Sequence, residues 1–411
     1  MRKYIEAESR AINRGVTWPV CPIHAQPGSL AWSGVVTPYS CGVETDRLRR
    51  AQAATSAAEL DALLITPGAD LRYLTGYVAL PLERLTCLVI PRTGEVTLVA
   101  PQLEVAAAQA SPVGAMDIPV RGWDETDDPY ALVASMLPSG GTVGLTDTMV
   151  AAHVLGLRRT MPTVQQTLAG RVMRGLRMRK SDDEVKALRE AGEAIDRVHA
   201  RVPDWLHAGR TEREIGDDIA EAIIDEGHVR ADFVIVGSGP NGASPHHELS
   251  DRVLERGDPV VVDIGGTMPS GYCSDSTRTY SVGPAPADFL EYYGALQRAQ
   301  EAAVAQVRPG VTAEAVDAAA RGVLTDAGFG DLFIHRTGHG IGLETHEEPY
   351  IVAGNAETLQ QGMVFSVEPG VYLPGRHGAR IEDIVAVTAD GVESLNRQPR
   401  ELLVVDSSYS A

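Results

Sequence analysis

From about residue 45 to 170, short apolar runs alternate with segments of helical period. Residues 46–60 place Leu48, Ala51, Ala54 and Ala58 on one side of a helix, a face of mostly small side chains. Residues 62–66 read as a strand ended by Pro67-Gly68, and 85–90 and 95–100 as two strands joined by the turn residues 91–94. The alternation predicts a small α/β domain over 45–175. A second domain, 176–411, opens on two helix starts with capping boxes, Ser181 with Glu184 and Thr211 with Glu214. The first helix carries Val185, Leu188, Ala191, Ile195 and Val198 at helical spacing, the second Ile215, Ile219 and Ile223. Strands are expected at 232–236, 259–264, 363–368 and 379–387, and a helical pair at 287–307 and 312–327. No tandem repeat of 20–50 residues is visible, and the fold class is α/β of the mixed, α+β kind.

Residues 1–44 follow neither period and hold Trp18, Trp32, Cys21, Cys41 and four prolines. They are expected to form an extension, either a tail or an arm packed on a partner subunit. The basic stretch Arg171, Arg174, Arg177, Arg179 and Lys180 reads as a solvated linker face between the domains.

Charge narrows the field. With 36 Lys and Arg against 55 Asp and Glu the formal charge is -19, which argues against a partner held through phosphates. An apolar fraction of 44% excludes wholesale disorder. No apolar run approaches the roughly 18 to 20 residues that span a bilayer, and the charged N-terminus lacks a secretory core. Cys21, Cys41, Cys87 and Cys273 form neither a CxxC pair nor a disulfide framework. The expectation is a cytoplasmic protein without nucleic-acid or membrane partners.

Candidate chemistry lies in acids set among Val and Ile. Asp263 sits in Val260-Val-Val-Asp263-Ile-Gly265, and Asp275 follows a hairpin-like connection in Ser274-Asp-Ser-Thr-Arg278. Glu368 ends Val364-Phe-Ser-Val-Glu368, and Glu382 lies in Arg380-Ile-Glu382-Asp-Ile, with 369–378 as the connecting loop. Any one of these acids alone reads as a strand end facing solvent. Four together are costly to bury unless paired or metal-bound. His339, flanked by glycines in Thr337-Gly-His339-Gly-Ile-Gly342, completes a donor set suited to two divalent cations of the Mn, Co or Zn type. Arg380, two residues from Glu382, would share its strand face and brace a substrate carboxylate, or else pair with Glu382 or Asp383. His246 fits a hydrogen-bonder to the reacting carbonyl, with His247 read as surface. Gly237-x-Gly239-x-x-Gly242 matches a dinucleotide fingerprint in letters, but Ala243-Ser-Pro245 follows where a helix would be needed. Cys273 reads as packing, since no base is dedicated to it.

These residues resemble the pita-bread-fold metallopeptidases, the family that includes prolidase, Xaa-Pro aminopeptidase and creatinase. The likeness covers about residues 45–405 and rests on Val262-Asp-Ile-Gly, Ser274-Asp-Ser-Thr-Arg-Thr, His335-Arg-Thr-Gly-His-Gly-Ile-Gly-Leu-Glu-Thr-His346-Glu, Ser366-Val-Glu-Pro-Gly and Gly378-Ala-Arg-Ile-Glu-Asp. Residues 46–77 look like the start of the family's creatinase-type N-terminal domain, and the whole is most similar to actinobacterial cytoplasmic dipeptidases. The hairpin from Asp263 to Asp275 is one residue longer than the family's usual one. The resemblance implies a creatinase-like domain followed by a pita-bread catalytic domain. It makes Asp263, Asp275, His339, Glu368 and Glu382 the ligands of two divalent metal ions per subunit, with Asp275 and Glu382 bridging. Mn²⁺ is the expected ion, with Co²⁺ or Zn²⁺ as alternatives.

Glu368 would shuttle the proton of a metal-bridging hydroxide, His246 and His346 would contact the scissile amide, and His335 and Arg380 would line the leaving-residue side. The implied function is hydrolysis of the N-terminal bond of short peptides, above all Xaa-Pro, as dipeptidase or aminopeptidase, by a homodimer. A metal-free creatinase-like C–N hydrolase and a non-catalytic peptide-binding module are the alternatives; both would be expected to have lost ligands that are intact here.

Overall fold

The computed structural model describes residues 41–405, so nearly all of the extension expected over 1–44 lies outside the described residues. A helix at Cys41–Ala57 starts ahead of the expected 46–60 and ends sooner. It must stop there because the chain turns into the first strand through Glu59, whose φ of 58° no helix accommodates. Six strands follow: β1 (Ala62–Ile65), β2 (Cys87–Pro91), β3 (Thr97–Pro101), β4 (Val120–Trp123), β5 (Gly141–Leu145) and β6 (Val164–Leu168). They form one mixed sheet in the order β4-β3-β2-β1-β5-β6. Its β2–β3 hairpin is the one expected from the turn residues 91–94, shifted slightly toward the C-terminus. Central β1 is covered on both faces. Leu63 and Ile65 enter one apolar cluster with Leu88, Ile90 and Leu98, while Ala62 and Leu64 enter another with Cys87, Val89 and Val99. That two-sided burial explains a strand without polar alternation, and each large side chain contributes about 1.5–3 kcal/mol.

Both capping boxes form: Ser181 with Glu184 begins the helix Asp182–Arg201, and Thr211 with Glu214 begins Glu212–Asp225. The basic stretch before them is not uniformly solvated, contrary to expectation. Arg177 bonds Asp70 at 2.8 Å, Glu344 at 2.7 Å and Glu347 at 2.5 Å, and buried Lys180 meets Glu347 at 2.6 Å. Arg177 and Lys180 are drawn inward because Glu347, beside them, could not be buried unpaired.

The remaining strands are β7 (Arg230–Ser238), β8 (Pro259–Thr267), β9 (Ser276–Val282), β10 (Gly338–Gly340), β11 (Glu347–Ile351), β12 (Val364–Val367), β13 (Gly370–Leu373), β14 (His377–Arg380), β15 (Asp383–Val387), β16 (Val392–Ser394) and β17 (Leu403–Val405). They make a four-stranded sheet, β17-β9-β8-β7, a five-stranded sheet, β11-β10-β12-β15-β16, and the β13–β14 ribbon. The segment 369–378, expected as a plain loop, is thus largely a hairpin of its own. Helices Ala287–Gln306 and Ala313–Asp326 close one side through Phe289, Tyr292, Leu296, Val316 and Leu324, packed with Phe365, Val367 and Val385. After Gly237 the chain makes only a short 3₁₀ turn, Gly239–Ala243, so the glycine motif opens no phosphate-binding helix. No helix among the described residues is long and apolar enough to cross a membrane.

Candidate metal centre

Each expected ligand stands at a strand or its end. Asp263 lies inside β8, opposite Ile235 of β7 and Thr277 of β9. Asp275 immediately precedes β9, Glu368 immediately follows β12, and His339 is the middle residue of β10. Glu382 falls in the break between β14 and β15 and bridges to Thr277. All five line one cleft together with His246, His335, His346 and Arg380. The glycines around His339 have a steric reason: a Cβ on Gly338 would sit 1.8 Å from the Ser366 carbonyl oxygen, and one on Gly340 would sit 2.2 Å from that of Glu348.

Donor atoms of Asp275, His339 and Glu382 come within 4.8 Å of one another. His339 Nδ1 lies 3.1 Å from the Gly340 carbonyl, to which it would donate, leaving Nε2 as the lone-pair nitrogen. That nitrogen faces Glu368 Oε1 at 3.2 Å and Asp275 Oδ2 at 3.6 Å. A lone pair turned on carboxylates is repulsive unless a proton or a cation stands between them. Two buried oxygens, Asp263 Oδ1 and Glu382 Oε1, have no hydrogen-bond partner among the described residues. Orphaned acceptors beside an outward imidazole lone pair are what an oxygen-rich divalent site requires, so the residues present fit the cations the motifs imply.

Three residues without an expected role organise this set. Thr277 donates Oγ1 to Glu382 Oε2 at 2.7 Å and accepts from Arg380 Nε at 3.2 Å. Ser366 accepts the His339 N–H at 3.0 Å and donates to Glu368 Oε1 at 3.1 Å. Tyr372 places its hydroxyl between His335 Nε2, at 2.9 Å, and Arg380 Nη1, at 2.7 Å. Thr277 and Ser366 each sit two residues from a ligand acid on a strand, a spacing that puts them on its face; nothing in the sequence marked Tyr372. Behind Glu382, Arg278 donates to its carbonyl at 2.6 Å and to Asp383 at 2.6 Å. Asp383, fully buried, also accepts from Gln300 and Arg400.

Arg380 and Glu382 meet through Thr277, not along one strand face, because Ile381 breaks the strand. Arg380 is committed elsewhere than either Glu382 or Asp383: its Nη2 pairs with Asp263 Oδ2 at 2.5 Å and reaches the Pro245 carbonyl at 3.3 Å. His246 and His346 stand exposed on the cleft, the latter with its ring 4.1 Å from that of His339. His247, expected at the surface, instead bonds the fully buried Glu212 carboxylate at 2.7 Å. Ser238, Asn241 and Ser250 donate to the same carboxylate, tying down the loop that carries His246. Cys273 is buried, and burial pushes its thiol up to about 11, as suits packing.

Burial, and then the charge of Glu382, raises Asp275 well above the usual carboxylate range; burial, and then Glu368, does the same to Glu382. Burial lifts Glu368 to about 7 from 4.5. A raised pKa means the folded chain binds more protons than the unfolded one, so this stability is whole below pH 4.5 and lost as pH rises through 7. In EDTA, wild type should therefore lose stability relative to Glu368→Gln between pH 5 and pH 8, by about 3 kcal/mol. Removing the Glu368 charge also lowers Asp275 and Glu382, which it raises in the wild type, and that change acts in the same direction. Urea unfolding of both proteins at the two pH values checks this; a constant difference would contradict it.

Comparison with known proteins agrees with this geometry. Residues 186–389 match metallopeptidase family M24, and residues 47–179 match the creatinase/prolidase N-terminal domain. Probable dipeptidase PepE of Mycobacterium tuberculosis (strain ATCC 25618 / H37Rv) is 56% identical over 373 residues, covering 90% of this chain and 99% of the relative. An Xaa-Pro dipeptidase of Lactobacillus helveticus is 35% identical over 353 residues, 84% of this chain and 95% of the relative. The crystal structure of dipeptidase PepE from Mycobacterium ulcerans superposes with a TM-score of 0.87 at 57% identity, covering 90% of this chain and 99% of that one. With two matching domains and relatives aligned over nearly their whole length, the chain belongs to metallopeptidase family M24 and carries a creatinase/prolidase N-terminal domain ahead of its catalytic one.

Proposed function

We propose that this metallopeptidase is a dipeptidase that splits Xaa-Pro peptides, with two divalent cations, Mn²⁺ first among them, held by Asp263, Asp275, His339, Glu368 and Glu382. The observation that supports it is the convergence of those five on one cleft, with two carboxylate oxygens lacking any protein partner. The relatives named dipeptidase and Xaa-Pro dipeptidase support the substrate class.

Bound cations supply Lewis-acid charge for the attacking water and the scissile carbonyl. The chain's own residues do the rest. Glu368, its carboxyl raised to about 7, takes a proton from the attacking water and returns it to the leaving nitrogen. His246 and His346 hold the peptide from the exposed rim of the cleft and steady charge developing on its carbonyl oxygen. His335, Tyr372 and Arg380 form a cross-bonded wall on the leaving-residue side. Phe233, Val234, Ile235 and Ile334 line the same cleft and give apolar side chains a surface. A bond to proline has no N–H, so its recognition rests on such packing and on the end groups. Under this reading the enzyme is a cytoplasmic homodimer; the buried free thiols of Cys87 and Cys273 suit a reducing compartment.

The test is a panel of Xaa-Pro dipeptides, Xaa-Pro-Yaa tripeptides and dipeptides without proline, assayed with Mn²⁺, Co²⁺ and Zn²⁺ in turn. Xaa-Pro dipeptides should be cleaved fastest and tripeptides at least tenfold more slowly. Equal rates on tripeptides would make the enzyme an aminopeptidase, and no hydrolysis of Ala-Pro with any cation would remove the reading.

A further inference from the structure

Residues 341–346 join β10 to β11, and His346 is the last of them. Its ring rests against that of His339, with 4.1 Å between the centroids, and lines the cleft of the metal centre. Behind it lies a second cavity of about 230 Å³ between the two domains, walled by Asp70, Arg174, Arg177 and Glu347. His346 is the one described residue that lines both. A side chain with a cavity at its back is not pinned by packing, so its aim depends on the backbone at either side.

That backbone is gripped from the N-terminal domain. Arg177 ends the helix Gly170–Arg177. It bonds Glu344, two residues before His346, at 2.7 Å and Glu347, directly after it, at 2.5 Å. One turn earlier Arg174 bonds Glu348 at 3.0 Å. The helix is itself anchored: Arg177 also bonds Asp70 at 2.8 Å, and Tyr73 donates its buried hydroxyl to the Leu176 carbonyl at 2.9 Å. Burial alone does not call for this arrangement. Lys180 already answers the Glu347 carboxylate at 2.6 Å, and Glu344, with 47% of its side chain exposed, could be left to water. An exposed pair of that kind adds little stability. What the fork does add is geometry, since bonds from one planar guanidinium fix both flanks of His346 at once.

We propose that Arg177 is a positioning residue: through Glu344 and Glu347 it holds the His346 imidazole toward the peptide carbonyl. The N-terminal domain thereby takes part in turnover, although every proposed metal ligand lies in the other domain. This rests on the role given to His346 above.

The experiment is a double-mutant cycle on Ala-Pro hydrolysis at saturating Mn²⁺, with bound metal and melting temperature measured on the same samples. The proteins are wild type, Arg177→Met, Arg177→Lys, His346→Ala and the two doubles. Arg177→Met should lower kcat about 10–30-fold with KM within about twofold, because charge on the carbonyl oxygen develops only in the transition state. Arg177→Lys keeps the charge but lacks the fork; it should fall between the two, and it carries the test should Arg177→Met fold poorly. In the His346→Ala background either change should cost under about twofold, since no imidazole remains to be aimed. A loss of the same size in both backgrounds would make Arg177 merely structural and overturn the proposal. So would no loss in either, or a loss that follows missing metal. The reading beneath it fails by a different result, a His346→Ala enzyme with kcat near the wild-type value, which would remove the proposal with it.

Discussion

Replacing Glu368 by glutamine is expected to lower kcat on Ala-Pro about 10³-fold, within the range a positioned acid–base group supplies. Glutamine has the same length and can still accept the Ser366 hydroxyl now bonded to Glu368 Oε1 at 3.1 Å. It cannot take up a proton near neutrality, and it brings no charge to the His339 side of the centre. A group raised to about 7 is poised to gain and lose a proton at working pH, which is why this acid carries more of the rate than its neighbours in the proposed mechanism. The measurement is steady-state kinetics at saturating Mn²⁺, with bound metal quantified in the same samples so that occupancy and chemistry are separated. A loss of under tenfold with full occupancy would take Glu368 out of the proton transfer.

Stripping divalent cations is expected to abolish hydrolysis of Ala-Pro and to lower the melting temperature, with Mn²⁺ or Co²⁺ restoring both. Four carboxylates share the cleft, and burial and mutual repulsion raise Asp275, Glu368 and Glu382. Cations relieve that repulsion only in the folded chain, where the five donors meet. At a free concentration one hundred times Kd, one bound ion stabilises by about 2.7 kcal/mol. For a chain of this size that is a shift of about 3 °C, readable by calorimetry. Since binding needs deprotonated carboxylates, the shift should grow with pH. Undiminished hydrolysis by protein verified to be metal-free would exclude a metal-dependent mechanism, and an unchanged melting point would mean that the cleft does not hold the ions.

Much of the centre was legible in the chain because its components break local rules. Acids within Val- and Ile-rich strands and glycines packed around one histidine are costly unless something compensates, and Asp263, Asp275, His339, Glu368 and Glu382 do converge on one cleft, where the proposed cations would compensate them. The capping boxes were readable for the opposite reason: they are complete within four residues and depend on nothing distant. Less was legible where two assignments compete. The helix expected over 46–60 ends at Ala57 because Glu59 turns into β1. The segment 369–378 became most of a ribbon because its two halves pair antiparallel, from Gly370 with Arg380 to Leu373 with His377 beside the turn.

By itself the sequence determined the order of most elements and the family, and it nominated the candidate site residues, since period, turn residues and motif spacing are local properties. Only the tertiary structure decided which charge answers which. Lys180 meets Glu347 across 167 positions, Arg380 meets Asp263 across 117, and His247 finds Glu212 across 35. A buried charge takes whichever partner the packing brings within bonding distance, and no local pattern encodes that choice.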